Sequence, residues 1–262
     1  MGEKVLITGA SKGIGAAIAR MLVENGYHVI GTALPNENLA DAPGDVTFLR
    51  LNLNENSSIK KCAAEAGEVD ILINCAGVSQ VGPLEEYPIE KMKALFQTNV
   101  FGAVQLTQAV LPPMRRNGKG FIINIGSLAG KFAIPFQTGY VASKYAVAGW
   151  SWALRSEVDK FGIRVVVIEP NDIRTTITPE LNLLPDSDYC RDVECMKKAR
   201  VESMKKACGP EVVARKVLKI LRSKKPRPFY TVGGAGPLMV FIKRFVPDTL
   251  LEKIIKKNYG IK

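Results

Sequence analysis

Seven residues near the start of the chain, Gly9-Ala10-Ser11-Lys12-Gly13-Ile14-Gly15, constrain the fold more than any other feature. They follow Lys4-Val5-Leu6-Ile7-Thr8, an apolar run of the kind a short buried strand needs. They precede an Ala- and Ile-rich stretch of helical period that leads to Arg20 and Met21. Strand, glycine turn and helix in that order form the frame of a dinucleotide site. Glycines permit the tight turn and let the backbone approach a pyrophosphate, while the helix start offers N–H groups and positive potential. The spacing is G-x-x-x-G-x-G, not the more common G-x-G-x-x-G. Gly233-Gly234-Ala235-Gly236 lacks a strand-to-helix frame and reads as a loop.

Further along, apolar runs alternate with helical patterns: Val29-Ile30-Gly31, Val46-Thr47-Phe48-Leu49, Ile71-Leu72-Ile73, Phe121-Ile122-Ile123 and Val165-Val166-Val167-Ile168. That alternation predicts right-handed βαβ units and a doubly wound parallel sheet, an α/β Rossmann architecture. Ligand should bind beyond the carboxyl ends of the strands, where Gly9, Asn74, Ser127 and Pro170 all fall. No Pro/Gly/Ser linker, low-complexity tract or internal repeat divides the 262 residues, so one domain over 1–262 is expected.

Tyr140 and Lys144 lie four residues apart, with Ser127 thirteen residues upstream of the tyrosine. On a helix that spacing puts both side chains on one face. A free phenol titrates near ~10 and is a poor base at neutral pH, but an adjacent ammonium favours its phenolate. The trio is therefore a complete site for carbonyl/alcohol redox chemistry. Tyr87 and Lys91 share the spacing, yet Tyr87 sits in Glu-Glu-Tyr-Pro with no serine placed like Ser127.

Together these residues resemble the short-chain dehydrogenase/reductase family. Thr8 and Gly9 through Gly15 look like its cofactor loop, and Asn74-Cys75-Ala76-Gly77 like its N-N-A-G element. Asn99 matches the asparagine that kinks the long central helix and holds a water near the lysine. Ile125-Gly126-Ser127 and Tyr140-x-x-x-Lys144 look like the catalytic serine and the tyrosine/lysine pair. Glu169-Pro170-Asn171-Asp172-Ile173-Arg174-Thr175 is similar to the P-G-x-x-x-T segment beside the nicotinamide, with Asn171 in place of the glycine. Cys75 likewise replaces a second asparagine.

The resemblance implies that Ser127 hydrogen-bonds the substrate oxygen and Tyr140 transfers its proton. Lys144 would hold the nicotinamide ribose, and Ile173 and Thr175 would contact the carboxamide. Gly9, Ser11, Lys12, Gly13, Ile14, Gly15, Asn74, Ala76, Gly77 and Pro170 would line the cofactor, with Asn52 and Leu53 near the adenine. The second strand ends Gly31-Thr32-Ala33-Leu34, with no acid before Glu37 to take a ribose 2′-hydroxyl. Lys12 is where this family often sets a cation for a 2′-phosphate, and Thr32 could add a hydroxyl donor. NADP(H) is therefore expected rather than NAD(H).

Residues 176–208 lie where the family inserts its variable substrate lid, and 237–262 form a C-terminal helical extension. The arrangement resembles the hydroxysteroid- and retinol-dehydrogenase-like branch, which implies a bulky lipophilic ketone or secondary alcohol. The other substrate reading is a 3-oxoacyl-thioester reductase acting on an acyl-carrier protein, with which Gly31-Thr32-Ala33 is compatible. A non-catalytic NADP-binding regulatory protein would usually lack the tyrosine, lysine or serine, and all three are present. The family also implies a homodimer or homotetramer joined through the helices carrying Asn99 and Tyr140, where Trp150, Trp152 and Leu154 could bury themselves.

Charge is unevenly placed. Residues 197–262 carry 18 of the 36 Lys and Arg but 4 of the 25 Asp and Glu. A solvated surface is one reading of that excess, and an anionic partner is the other: membrane headgroups, a carboxylated or CoA-bearing substrate, or an acidic carrier protein. No nucleic-acid recognition motif accompanies it, so nucleic acid is not expected. Pro237-Leu238-Met239-Val240-Phe241-Ile242-Lys243-Arg244-Phe245-Val246 combines apolar and basic residues, the composition of an interfacial anchor; a helix closing the substrate pocket is the other reading. Residues 1–8 lack a basic region followed by a long apolar stretch, and no segment offers ~18 uninterrupted apolar residues, so a cytoplasmic protein is expected. Five cysteines without a C-x-x-C pair, and His28 as the only histidine, suggest neither a disulfide framework nor a metal site.

Overall fold

Near-continuous apolar runs make strands that must be covered on both faces. The computed structural model describes residues 2–175 and 178–261. Residues 176 and 177, the first two of the expected lid, lie outside the described residues, as do residues 1 and 262 at the limits of the expected domain. Seven strands form one sheet: β1 (Lys4–Ile7), β2 (His28–Ala33), β3 (Thr47–Arg50), β4 (Ile71–Asn74), β6 (Gly120–Ile125), β7 (Ile163–Pro170) and β9 (Phe229–Val232). Their order is β3-β2-β1-β4-β6-β7-β9 and every pairing is parallel. This is the doubly wound sheet the sequence predicts. The winding direction reverses between β1 and β4, which opens a crevice at their carboxyl ends.

Side chains alternate between two cores. Val5, Ile7, Ile71, Ile73, Ile123 and Val166 pack with Ile18 and Leu22 of helix α1 (Gly13–Glu24) and with Val213 and Val217 of α7 (Glu211–Leu221). Leu6, Leu72, Ile122 and Val165 face the other way. They meet Ile59 of α2 (Asn56–Ala66), Leu106 and Val110 of α4 (Gly102–Arg116), and Val158 and Leu154 of α5 (Thr138–Val158). Leu154 thus serves the core.

Helix α3 (Ile89–Phe96) runs into α4 through a π-helical turn, Gln97–Phe101, which holds Asn99. The kink anticipated at Asn99 takes this form, and π turns often mark functional positions. Beyond β7, a short pair of strands, β5 (Gln80–Val81) and β8 (Glu180–Leu181), and helix α6 (Cys190–Lys205) cover one end of the sheet. Val81, Val193 and Met196 form a small core there with Phe136, Leu183, Tyr189 and Tyr259. Tyr259 belongs to α9 (Asp248–Tyr259), so the C-terminal helix packs on the lid helix. Between β9 and α9, α8 (Gly236–Ile242) exposes Leu238, Met239, Phe241 and Ile242. No helix among the described residues is long and apolar enough to cross a membrane.

Candidate active site

The glycine loop is shaped by contacts that only small residues allow. Gly9 has φ of +66°, in the left-handed region. A Cβ on Gly15 would lie 2.1 Å from the carbonyl oxygen of Gly9, so helix α1 could not approach β1 with any side chain there. Thr8 Oγ1 accepts the N–H groups of Cys75 (2.9 Å) and Ala76 (3.0 Å), clamping the β1 turn to the Asn74–Gly77 segment. Helix α1 starts with no side-chain cap and no acid in its first turn. Uncapped donors at a helix start, beside glycines that expose backbone, suit an anionic pyrophosphate.

Thr32 takes a different place from the one its sequence position suggests. Its side chain is buried and Oγ1 accepts the Gly9 N–H at 3.3 Å, so it braces the glycine loop from beneath and is not turned toward a ribose. Asn52 braces the turn that precedes α2: its Nδ2 donates to Glu55 at 2.6 Å and its Oδ1 accepts the Asn54 N–H at 3.1 Å. Leu53 is buried in the core below, its carbonyl bonded by Gln97 at 3.1 Å. Ser11 and Lys12 point to the outer end of the crevice, where both reach Glu37.

Tyr140 and Lys144 stand one turn apart on α5, with the Lys144 ammonium 5.7 Å from the centre of the Tyr140 ring. Lys144 is buried and donates to the carbonyl oxygen of Ile125 at 3.1 Å. A Cβ on Gly77 would lie 3.2 Å from Asn99 Oδ1 and 3.6 Å from Lys144 Nζ, so the Asn74–Gly77 segment, the π turn and α5 meet at one point. Ser127 begins a 3-10 turn after β6, and its Oγ accepts the Ala129 N–H at 3.1 Å. That turn is pressed on α5: a Cβ on Gly130 would come within 2.9 Å of the Lys144 carbonyl oxygen. A cleft of about 430 Å³ lined by Pro83, Leu84, Glu85, Phe136, Thr138 and Tyr189 opens one half-turn before Tyr140.

Several supporting residues carry no motif. Asn99 Nδ2 donates to Ser143 Oγ at 3.1 Å, and Ser143 Oγ donates to the Tyr140 carbonyl at 2.7 Å. Asn74 donates to Thr107 (3.1 Å) and to Asn124 (2.8 Å), which in turn donates to Ser151 (2.8 Å), tying β4, α4, β6 and α5. A polar residue inside the apolar run Phe121-Ile122-Ile123-Asn124-Ile125 is the signal that marks Asn124. Burial pushes the Cys75 thiol up to about 12, against the opposing pull of Lys144, which favours its protonated form at neutral pH.

At the end of β7, Pro170 is buried beside Glu169, whose carboxylate pairs with Lys131 at 3.0 Å and accepts from Thr231 at 3.3 Å. Burial outweighs both partners and raises that carboxyl above its ordinary range. The following loop turns at Asp172 (φ +23°), which accepts the Ser203 hydroxyl of α6. Ile173 is buried and bridges to Cys208, and Thr175 lies over the glycine loop, 3.6 Å from where a Gly13 Cβ would stand. The lid is thereby fastened to the loop that faces the crevice.

The family model described as short chain dehydrogenase matches residues 3–184. A 3-ketodihydrosphingosine reductase of Bacteroides thetaiotaomicron is 35% identical, over 98% of each chain. An NADPH-dependent 3-dehydrocapnine reductase of Ornithobacterium rhinotracheale is 31% identical over 97% of this chain and 96% of its own. Among solved structures, one from Streptomyces avermitilis described as a short-chain dehydrogenase superposes with a TM-score of 0.83 at 30% identity, covering 99% of this chain and 97% of that one.

Proposed function

This chain belongs to the short chain dehydrogenase family, and we propose that it is an NADP(H)-dependent oxidoreductase interconverting a lipophilic ketone and its secondary alcohol. The observation that carries the reading is the meeting of Tyr140, Lys144, Asn99 and the Ser127 turn at the carboxyl edge of the sheet, beside an uncapped glycine-rich helix start. Bound nicotinamide supplies or takes up the hydride. Tyr140 Oη holds the proton that goes to the carbonyl oxygen in reduction and returns in oxidation. Ser127 Oγ uses a lone pair on the Ala129 N–H, which leaves its own hydrogen to donate to the substrate oxygen. Lys144 places positive charge where phenolate charge develops, and spends one of its three donors on Ile125, leaving others for a ribose. Gly13, Ile14 and Gly15 would hold the pyrophosphate, Ile173 and Thr175 the carboxamide side, and Lys12 the 2′-phosphate.

NADP(H) is supported by Lys12 at the crevice rim and by the relative named for NADPH. A lipophilic substrate is supported by the apolar side chains of Pro83, Leu84, Phe136 and Tyr189 that line the cleft beside Glu85 and Thr138, and by relatives named as reductases of 3-ketodihydrosphingosine and 3-dehydrocapnine. NADPH oxidation across a panel of long-chain 3-keto lipids, steroids, retinoids, a 3-oxoacyl thioester and small ketones tests the reading. Turnover restricted to the thioester would favour the acyl-carrier reductase; binding of NADPH without any turnover would favour a regulatory protein. Lys12→Ala should weaken NADPH far more than NADH.

Two features of the surface extend the proposal. Phe101 and Trp152 are exposed on the faces of the π turn and α5, which supports pairing of two copies through these helices. The exposed apolar side chains of α8 and Phe245 share the C-terminal segment with Arg244, Lys253, Lys256 and Lys257, which supports peripheral contact with an anionic membrane from which a lipophilic substrate could enter.

A further inference from the structure

Glu37 is a carboxylate at the outer end of the crevice that three donors from two segments surround. Ser11 Oγ donates to its Oε1 at 2.9 Å, the Lys12 ammonium lies 3.0 Å from the same oxygen, and the Leu34 N–H donates to Oε2 at 3.2 Å. The side chain keeps only 17% of its surface exposed. Its turn is fixed from below: Arg50 Nη1 donates to the carbonyl oxygens of Leu34 (2.9 Å) and Glu37 (2.8 Å). Although burial raises the carboxyl, its bonds to Lys12, Ser11 and Leu34 lower it further, so it stays ionised at neutral pH. Two of these donors, Ser11 and Lys12, belong to the glycine loop itself, and the Leu34 N–H follows the strand that Thr32 ties to Gly9.

A hydroxyl, a loop amide and an ammonium converging on anionic oxygens form a phosphate-binding set. We propose that Glu37 is an internal stand-in for the 2′-phosphate, one that must leave before NADPH can engage Ser11 and Lys12. This rests on the NADP(H) reading of the same site. A carboxylate and a phosphate are both negatively charged hydrogen-bond acceptors, so they cannot share three donors without strong repulsion. A ribose 2′-hydroxyl, in contrast, can donate to the carboxylate where it already lies. Glu37 therefore lowers affinity for NADPH and spares NADH, holding the preference between them well below what Lys12 alone would give.

The test compares dissociation constants, by titration calorimetry, of the wild type and of Glu37→Gln for NADPH, NADH, adenosine 2′,5′-bisphosphate and 5′-AMP. Glu37→Gln keeps the shape and the backbone contact of the turn while removing the charge. It should tighten NADPH and the bisphosphate by roughly tenfold, the scale of one charge-assisted hydrogen bond, with NADH and 5′-AMP within about twofold. Unchanged affinity for the bisphosphate, or a loss of NADH binding beyond about tenfold, would overturn the stand-in role; the second result would make Glu37 a ribose acceptor. The cofactor reading is judged separately, by the wild-type ratio: NADH bound more tightly than NADPH would sink that reading even if Glu37→Gln tightened the bisphosphate.

Discussion

The amide of Asn99 donates to the hydroxyl of Ser143 across 3.1 Å, and so locks the π turn to the helix that carries Tyr140 and Lys144. The same amide donates to the Val78 carbonyl at 2.9 Å, and Asn99 Oδ1 accepts the Val78 N–H at 2.8 Å. A regular α-helix from Ile89 to Arg116 would aim residue 99 elsewhere; the wider π turn gives it this register. One side chain thereby holds three segments around the crevice.

Asn99→Ala should remove three hydrogen bonds, one to the buried Ser143 hydroxyl and two to the part-buried N–H and carbonyl of Val78, at about 1 kcal/mol for each bond lost. Ser143→Ala removes the bonds to the Asn99 amide and the Tyr140 carbonyl but leaves Asn99 on Val78, and should cost less, about 1 kcal/mol. Urea unfolding of both variants, beside their kcat, checks this ordering. Equal stability of Asn99→Ala and wild type would show that the network is not structural.

Tyr140→Phe removes the only atom proposed to carry the proton while keeping the ring against Lys144. Activity should fall by roughly 10²–10⁴-fold, the usual worth of a positioned acid or base. NADPH affinity, read by fluorescence titration, should stay within about twofold, because no backbone donor of the cofactor loop is touched. Turnover near the wild-type rate would remove Tyr140 from the mechanism.

Lys131 is the counter-charge of Glu169, and Lys131→Met should leave that buried carboxylate unpaired. Breaking a buried pair from one side costs about 3 kcal/mol. The sign with pH follows from the raised carboxyl of Glu169. A folded-state pKa above the unfolded one means that stability is complete at low pH and is lost as pH rises through the folded value. Removing Lys131 enlarges the rise, so the variant's deficit should be greater at pH 8 than at pH 5, as urea midpoints would report. Glu169→Gln should flatten that dependence.

Much of this architecture is legible in the sequence because its signals are contiguous. The Gly9–Gly15 loop, the apolar strand runs and the Tyr140/Lys144 turn each lie within one short stretch and need no knowledge of what packs on them. Direction within a buried strand is harder. β2 is buried on both faces, so period-two alternation cannot tell that Thr32 turns toward Gly9 and away from a ribose. Glu37 is hidden for another reason: its distance from the strand end suggests a remote acid, and only the turn held by Arg50 brings it back to Lys12. Ser143 and Asn124 act through contacts 44 and 50 residues distant in sequence, which no local pattern encodes.

Phe241 and Phe245 stack edge to face at 5.4 Å while remaining 57% and 73% exposed, an apolar pair with no covering among the described residues. Side chains of this size at the surface, with Lys243 and Arg244 between them in sequence, suit the boundary between lipid headgroups and acyl chains. Each cation near an anionic surface adds about 1 kcal/mol, and salt screens that attraction. The protein should therefore pellet with vesicles rich in phosphatidylserine at low ionic strength, pellet little with neutral vesicles, and be released at high salt. Phe245→Glu should abolish pelleting without lowering thermal stability, since the ring contributes little to the core. Failure to pellet at low salt would leave α8 and α9 as a cover for the substrate cleft alone, a role already suggested by Tyr259 packing among Met196, Leu183 and Phe136.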